Sequence, residues 1–340
     1  MGALVSHSGR RGFVNRRLLM SLTGAASIAA LWWYEPAGAM RADPVAARAP
    51  EAARVETARE AFGQSGHLRM HFVRAGEALA YPLEIRGNAS GYTYQWMRVG
   101  TDESGDVARA LTETELLVPL TPGIYELQLA RGGEVQRLEE PKVAVLVPFE
   151  RKLGGTLNGY RIGSYPAEWS ADRERFERPP GFVEVTAADA ALPVSTHLTV
   201  ADFLTHDAQT RWPRYAAIDP RVVDKIELVL AELARRRGDE QILFDVRVHS
   251  GFRTPLHNAG VEGSARDSRH MYGDATDVAI DADGDGKFTI FDAYRVERAV
   301  EWIEQLHPEL AGGLGVYSSP RWPTPYVHID ARGERKRWRG

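Results

Sequence analysis

His270, Asp277 and His328 are the residues whose types and setting could do chemistry. The first two lie in Ser268-Arg269-His270-Met271-Tyr272-Gly273-Asp274-Ala275-Thr276-Asp277, the third in Val327-His328-Ile329-Asp330. Two imidazoles and a carboxylate form a plausible metal triad. Three protein ligands leave a fourth position open on zinc, the catalytic arrangement rather than the closed structural one. Gly273 and Ala275 let the chain turn tightly between the first two ligands, and a turn into a strand puts both on one wall of a cleft. In Val327-His328-Ile329-Asp330, strand alternation turns His328 and Asp330 to one side. Asp330 is then a close carboxylate that either orients the imidazole through its second nitrogen or handles protons. The chain has 10 histidines, so the triple carries weight only through its context.

A second metal signal follows directly. Numbered from Asp281, a 12-residue loop places Asp283 third, Asp285 fifth, Lys287 seventh through its carbonyl, Thr289 ninth and Asp292 twelfth. Gly286 is sixth, where such a loop turns sharply. Hard oxygen donors at this spacing suit Ca2+ in a structural role. The twelfth residue is Asp, where an EF-hand has a longer bidentate Glu. A helix leaves the loop and none enters it, so the pattern is one calcium loop rather than a paired sensor. The alternative is an Asp/Gly surface turn that binds nothing.

These residues need elements to hold them. Asp219-Pro220 starts a helix from about Pro220 to Arg236, with an apolar stripe of Val222, Val223, Ile226, Val229, Leu230 and Leu233. Ile242 to Val248, Val278 to Ile280 and Val327 to Asp330 read as strands, and a second helix runs from about Phe291 to Gln305. Mixed elements of this length predict a compact α+β domain over 194–340. Ahead of it, Leu68 to Phe72, Tyr92 to Trp96, Ile124 to Leu129 and Val143 to Val147 alternate with period two. They predict a small all-β, sandwich-like domain over 62–149, with Trp96 and Tyr125 in its core. Residues 150–193 are Gly-, Pro- and Arg-rich and connect the two units while packing on the second. Residues 40–61 read as a linker.

Composition fits a globular protein: 340 residues, 44% hydrophobic and 26% charged. The formal charge of -4 gives no global reason for nucleic-acid binding. The absence of cysteine excludes disulfides, thiolate nucleophiles and Cys-ligated zinc. Arg10-Arg11-Gly12-Phe13-Val14-Asn15, an apolar stretch from Leu18 to Trp33, and Ala37-Gly38-Ala39 follow the order of a twin-arginine export signal over 1–39. The expected location is the periplasm, or the cell-wall side of the inner membrane. No stable membrane span remains if the signal is cleaved; the uncleaved signal would act as an anchor.

The long motif resembles the M15 zinc peptidases, the D-Ala-D-Ala carboxypeptidase clan, and within them an exported murein-endopeptidase branch. The likeness covers roughly residues 157–340. It includes Asn158-Gly159-Tyr160, Val194-Ser195-Thr196-His197 with Asp202-Phe203, and Ser250-Gly251-Phe252-Arg253-Thr254-Pro255. It implies zinc-dependent hydrolysis of peptide bonds in peptidoglycan stems or crosslinks, as endopeptidase or carboxypeptidase, with D,D and L,D linkages both open. It implies His270, Asp277 and His328 as zinc ligands, and Arg253 as the arginine that holds a substrate carboxylate or carbonyl. Many members carry a Glu or His just before the last ligand, where this chain has Tyr326. Asp330 is then the first candidate for proton handling, with His249 or Tyr326 behind it. Ser268 and Tyr326 line the substrate side, Ser268 bracing its loop. Two other classes fit the residues. One is a zinc-containing wall-binding protein without turnover; the other is a structural or interaction protein acting through the β domain.

Overall fold

The period-two residues between Leu68 and Val147 do pair as strands. The computed structural model describes residues 54–57, 62–86, 89–112, 115–318 and 324–340. The expected export signal over 1–39 lies outside them, as does most of the expected linker. The part of 40–61 that is described includes Arg54–Thr57, a strand antiparallel to Leu83–Arg86.

The larger β-sheet uses β1 (Met70–Arg74), β2 (Thr93–Arg98), β3 (Arg109–Ala110), β4 (Gly123–Arg131), β5 (Glu134–Pro148), β6 (Gly181–Val185) and β7 (Arg214–Ala216). Its order is β7-β6-β5-β4-β2-β3, and β1 pairs with β5 in parallel. A ribbon of Ala78–Ala80 and Glu115–Leu117 lies over this sheet. Leu79, Leu116 and Val118 pack there with Trp96, Leu127, Val143 and Val145. That two-layer core is sandwich-like. Trp96 and Tyr125 are buried in it, and the Trp96 indole donates to the Leu117 carbonyl at 2.8 Å.

β5 is the seam of the molecule. Val143 and Val145 face the sandwich core, while Ala144 and Leu146 face a second, larger core. Alternation along one strand thus joins the two hydrophobic cores. The connecting segment continues the same sheet, since β6 pairs with β5 on one side and β7 on the other.

The second core supports a five-stranded sheet. Its strands are β8 (Val246–Ser250), β9 (Ala275–Ile280), β10 (Gly313–Tyr317), β11 (Tyr326–Asp330) and β12 (Lys336–Arg339). The order is β8-β9-β11-β10-β12, antiparallel except for the final β10/β12 pair. Helices α1 (Pro220–Arg237) and α2 (Ile290–Leu306) cover one face. Val222, Ile226 and Val229 of α1 and Val296, Val300 and Ile303 of α2 meet Val278, Leu314, Val327 and Ile329 there. Asp219 caps α1 by accepting from the Arg221 amide at 2.8 Å, and Gly238 ends it at φ 72°. The architecture is α+β, and both helices fall where their apolar stripes place them. The strand expected from Ile242 begins at Val246 and runs on to Ser250.

Candidate metal centre

The helix-free face of the five-stranded sheet carries the polar residues. Strand register lines up Ser250, Asp277, His328, Gly315 and Trp338 as one row across all five strands. Two expected ligands, Asp277 and His328, are therefore direct cross-strand neighbours. His270 reaches them from the 3-10 turn Arg269–Tyr272, immediately before β9.

The three ligand atoms form a triangle. His328 Nδ1 is 2.8 Å from Asp277 Oδ1 and 3.2 Å from His270 Nε2. His270 Nε2 is 3.3 Å from Asp277 Oδ1. Zinc bonds of roughly 2.0–2.1 Å at tetrahedral angles put ligand atoms about 3.3–3.4 Å apart. The donor set and its spacing therefore fit one zinc ion.

Outer contacts set which nitrogen faces the centre. His270 Nδ1–H donates to the Gly251 carbonyl at 2.7 Å, leaving the Nε2 lone pair inward. His328 is turned the other way: its Nε2 lies 3.2 Å from Asp330 Oδ2. Hydrogen bonds of this kind fix ring orientation and ligand basicity. Asp277 Oδ2 accepts from Arg253 Nη2 at 2.5 Å, and Arg253 Nε donates to Ser250 Oγ at 2.7 Å. Arg253 thus braces the carboxylate ligand while also lining the cleft.

The charges follow from burial and pairing. Burial pushes His270 down toward its neutral form. Burial also opposes the charge on His328, but hydrogen bonds to Asp277 and Asp330 outweigh it and raise the imidazole to about 9. Asp277 would be raised by burial, and its two histidine partners hold it well below the usual carboxylate range instead.

Asp330 is placed differently from the expectation that it handles protons. It is fully buried and does not line the cleft. Its carboxylate takes the Gly313 amide at 2.7 Å, the Arg332 Nε at 2.9 and 3.0 Å, and His328. Burial is outweighed by these partners, so the group stays ionised far below its usual range. A carboxylate with every lone pair engaged orients His328 and has no proton traffic with solvent.

The cleft over the triad has a volume of about 810 Å3. Arg253, Ser268 and Tyr326 all line it, as expected. Tyr326 stacks on Tyr317, ring centroids 4.6 Å apart. His249 lies 5.2 Å from the Tyr326 ring and is not among the lining residues. Several residues of this site escape a reading of the sequence. Trp338 packs 5.1 Å from the His328 ring and donates from Nε1 to the Tyr317 hydroxyl at 2.9 Å. A Cβ at Gly315 would collide with that indole, and one at Gly313 with the Asp330 carboxylate. Gly312-Gly313-Leu314-Gly315 looks like a loop, yet its glycines make room beneath the ligand strand.

The calcium loop is partly assembled. Asp281, Asp283 and Asp285 offer carboxylate oxygens within 4.8 Å of one another. Asp281 accepts from the amides of Gly284 and Gly286, both at 2.8 Å, and Gly286 has φ 79°. Thr289 and Asp292 bond to each other, and Asp292 Oδ1, like Asp283 Oδ1, is buried without a hydrogen-bond partner. The Asp292 carboxylate takes the Thr289 amide at 2.8 Å and hydroxyl at 2.6 Å, closing a capping box on α2. The backbone amide of Lys287 donates to Asp285 at 2.9 Å. Asp283 pairs with Arg295 at 2.9 Å, while its Oδ1 is buried without a hydrogen-bond partner.

Comparison with known families decides the class of the domain. Residues 197–303 match the family model for Peptidase M15. The chain carries an M15 peptidase domain. The match spans His270 and Asp277, and the β9/β11 register brings His328 to them from outside it. No curated protein matches the chain. The M15 domain is C-terminal, and among the described residues no helix is long and apolar enough to cross a membrane.

Proposed function

We propose that this protein is a zinc-dependent peptidase that hydrolyses peptide bonds in the stems or crosslinks of bacterial peptidoglycan. The observation that carries the reading is the triangle of His270 Nε2, Asp277 Oδ1 and His328 Nδ1, buried at the base of a cleft in an M15 domain. The resemblance of the long motif to exported murein peptidases supports the wall substrate, and the N-terminal twin-arginine pattern supports export.

When bound, zinc supplies a Lewis acid that polarises the scissile carbonyl and acidifies water. The chain's own residues do the rest. Asp330 holds His328 in the ligating tautomer, and Gly251 does the same for His270. Arg253 orients Asp277 through Oδ2, while His270 and His328 keep it ionised. A guanidinium has five donors in a planar fork, so Arg253 has further N–H groups to bind a substrate carboxylate or carbonyl. Ser268 and Tyr326 shape the substrate side. Among the described residues, Glu262 and Asp267 are the other side-chain carboxylates lining the cleft, and with Tyr326 they are titratable groups there that can exchange protons.

We assign calcium to Asp281, Asp283 and Asp285 as a structural ion. The convergence of the three carboxylates and the buried, unbonded Asp283 Oδ1 support it. Asp281 lies one residue beyond β9, so the ion would steady the strand that presents Asp277.

Digestion of purified peptidoglycan followed by weighing of the products tests the function. New peptide termini without glycan cleavage are expected. An inert protein that holds stoichiometric zinc would instead mean a wall-binding protein.

A further inference from the structure

The cleft is not symmetric about the triad. Register places Lys336 opposite Gly313 and Trp338 opposite Gly315 on the edge strand β12. Gly315 is also opposite His328. Lys336 and Trp338 therefore point to the ligand face, with Lys336 two residues further along the strand direction. In the opposite direction the same face carries the Tyr317–Tyr326 stack. One end of the cleft is thus cationic and the other aromatic, with the metal ligands between them.

Arg332 and Lys336 make the cationic end; Arg337, which also lines the cleft, is paired with Glu304. Arg332 lies on the buried Asp330 carboxylate, its side chain 23% exposed, and lines the cleft. Lys336 also lines it, and among the described residues its ion pair is with Glu334 at 3.4 Å, between side chains 51% and 72% exposed. An exposed pair of this kind contributes little, so an incoming carboxylate can replace Glu334. Arg332 compensates Asp330 and retains donors on its outer edge.

We propose that Lys336, with Arg332, forms an anion subsite that selects substrates bearing a carboxylate away from the scissile bond. The proposal rests on the peptidase reading and adds the charge and spacing of the substrate. Strands are about 4.8 Å apart and rise about 3.3 Å per residue, which puts Lys336 roughly 10–12 Å from His328. An extended peptide covers that span in about three residues. The selected carboxylate is therefore a second anionic group, distinct from one held beside the metal by Arg253.

Two non-hydrolysable stem-peptide analogues test this, identical except that the distal carboxylate is free or amidated. Binding of each to the zinc-loaded protein is measured by calorimetry, for wild type and Lys336→Gln. A charge-assisted hydrogen bond predicts about tenfold or greater preference of wild type for the free carboxylate. Lys336→Gln should bring the two analogues within about threefold, leave the amidated one unchanged and leave kcat on neutral substrate unchanged. Equal binding of both analogues to wild type, or an undiminished preference in Lys336→Gln, would overturn the subsite. If neither analogue binds, the peptidoglycan reading falls. The same comparison with a plain acidic peptide and its amidated copy then decides the subsite by itself.

Discussion

Arg253 grips Asp277 through the oxygen that does not face the metal triangle, at 2.5 Å from Nη2 to Oδ2. The same guanidinium is anchored by Ser250, which sits beside Asp277 in the cross-strand row. Lysine cannot reproduce this two-point hold. Arg253→Lys should weaken zinc binding by roughly 10–100-fold, the usual cost of losing an outer contact to a metal ligand. Competition with a chromogenic chelator measures it. Zinc affinity equal to wild type would mean that Arg253 serves substrate alone.

Asp330→Asn separates orientation from proton transfer. If Asp330 orients His328, the variant loses zinc affinity and activity together. A proton-transfer role would lower kcat while zinc affinity held. Asp330→Ala should also destabilise the fold by about 3–5 kcal/mol, because it strands buried charge on Arg332 and His328. Urea unfolding of the metal-free variant reads that figure.

Gly315→Ala puts a methyl group where the Trp338 indole lies. Displacing the indole disturbs its contact with His328 and its hydrogen bond to Tyr317. A cost of ~1–3 kcal/mol is expected from overpacking, with weaker zinc binding. Adding Trp338→Ala should relieve the strain but not restore zinc affinity. Additive losses in stability would show that the two positions do not compete for space.

The sandwich has its own pH signature. His71 stacks on Phe62 with ring centroids 3.6 Å apart, and its Nε2 is buried without a hydrogen-bond partner. Burial lowers its pKa from 6.5 to about 4. The unfolded chain takes up this proton first as pH falls. The contribution of neutral His71 is therefore complete above about 6.5, declines toward pH 4 and is flat below. His71→Phe should flatten that part of the stability curve in thermal melts. An unchanged slope would place the acid sensitivity elsewhere.

The grouping of His270, Asp277 and His328, the two long helices and the strands that carry alternating apolar residues were all legible in the sequence. Val327-His328-Ile329-Asp330 shows which residues share a face, because strand period is local. β10 and β12 were not legible: Gly312-Gly313-Leu314-Gly315 lacks side chains to pattern, and Lys336 to Arg339 is nearly all basic. Their roles depend on what lies across the sheet, Asp330 and Trp338, which no local pattern encodes. The same limit applies to Asp330. Its position beside His328 was readable, but the Arg332 and Gly313 contacts that occupy its lone pairs were not. Thr289 and Asp292 fit a calcium spacing and a capping box equally well; Oδ2 of Asp292 makes the cap and its Oδ1 is left without a hydrogen-bond partner.

If His270, Asp277 and His328 hold the zinc of a wall peptidase, metal content and cleavage must stand or fall together. Zinc content and peptidoglycan cleavage measured on the same samples of wild type, His270→Ala and His328→Ala test it most directly. Wild type is expected to hold one zinc and cleave, with both lost in either variant while circular dichroism stays native. A variant that remains folded and cleaves peptidoglycan at the wild-type rate would contradict it.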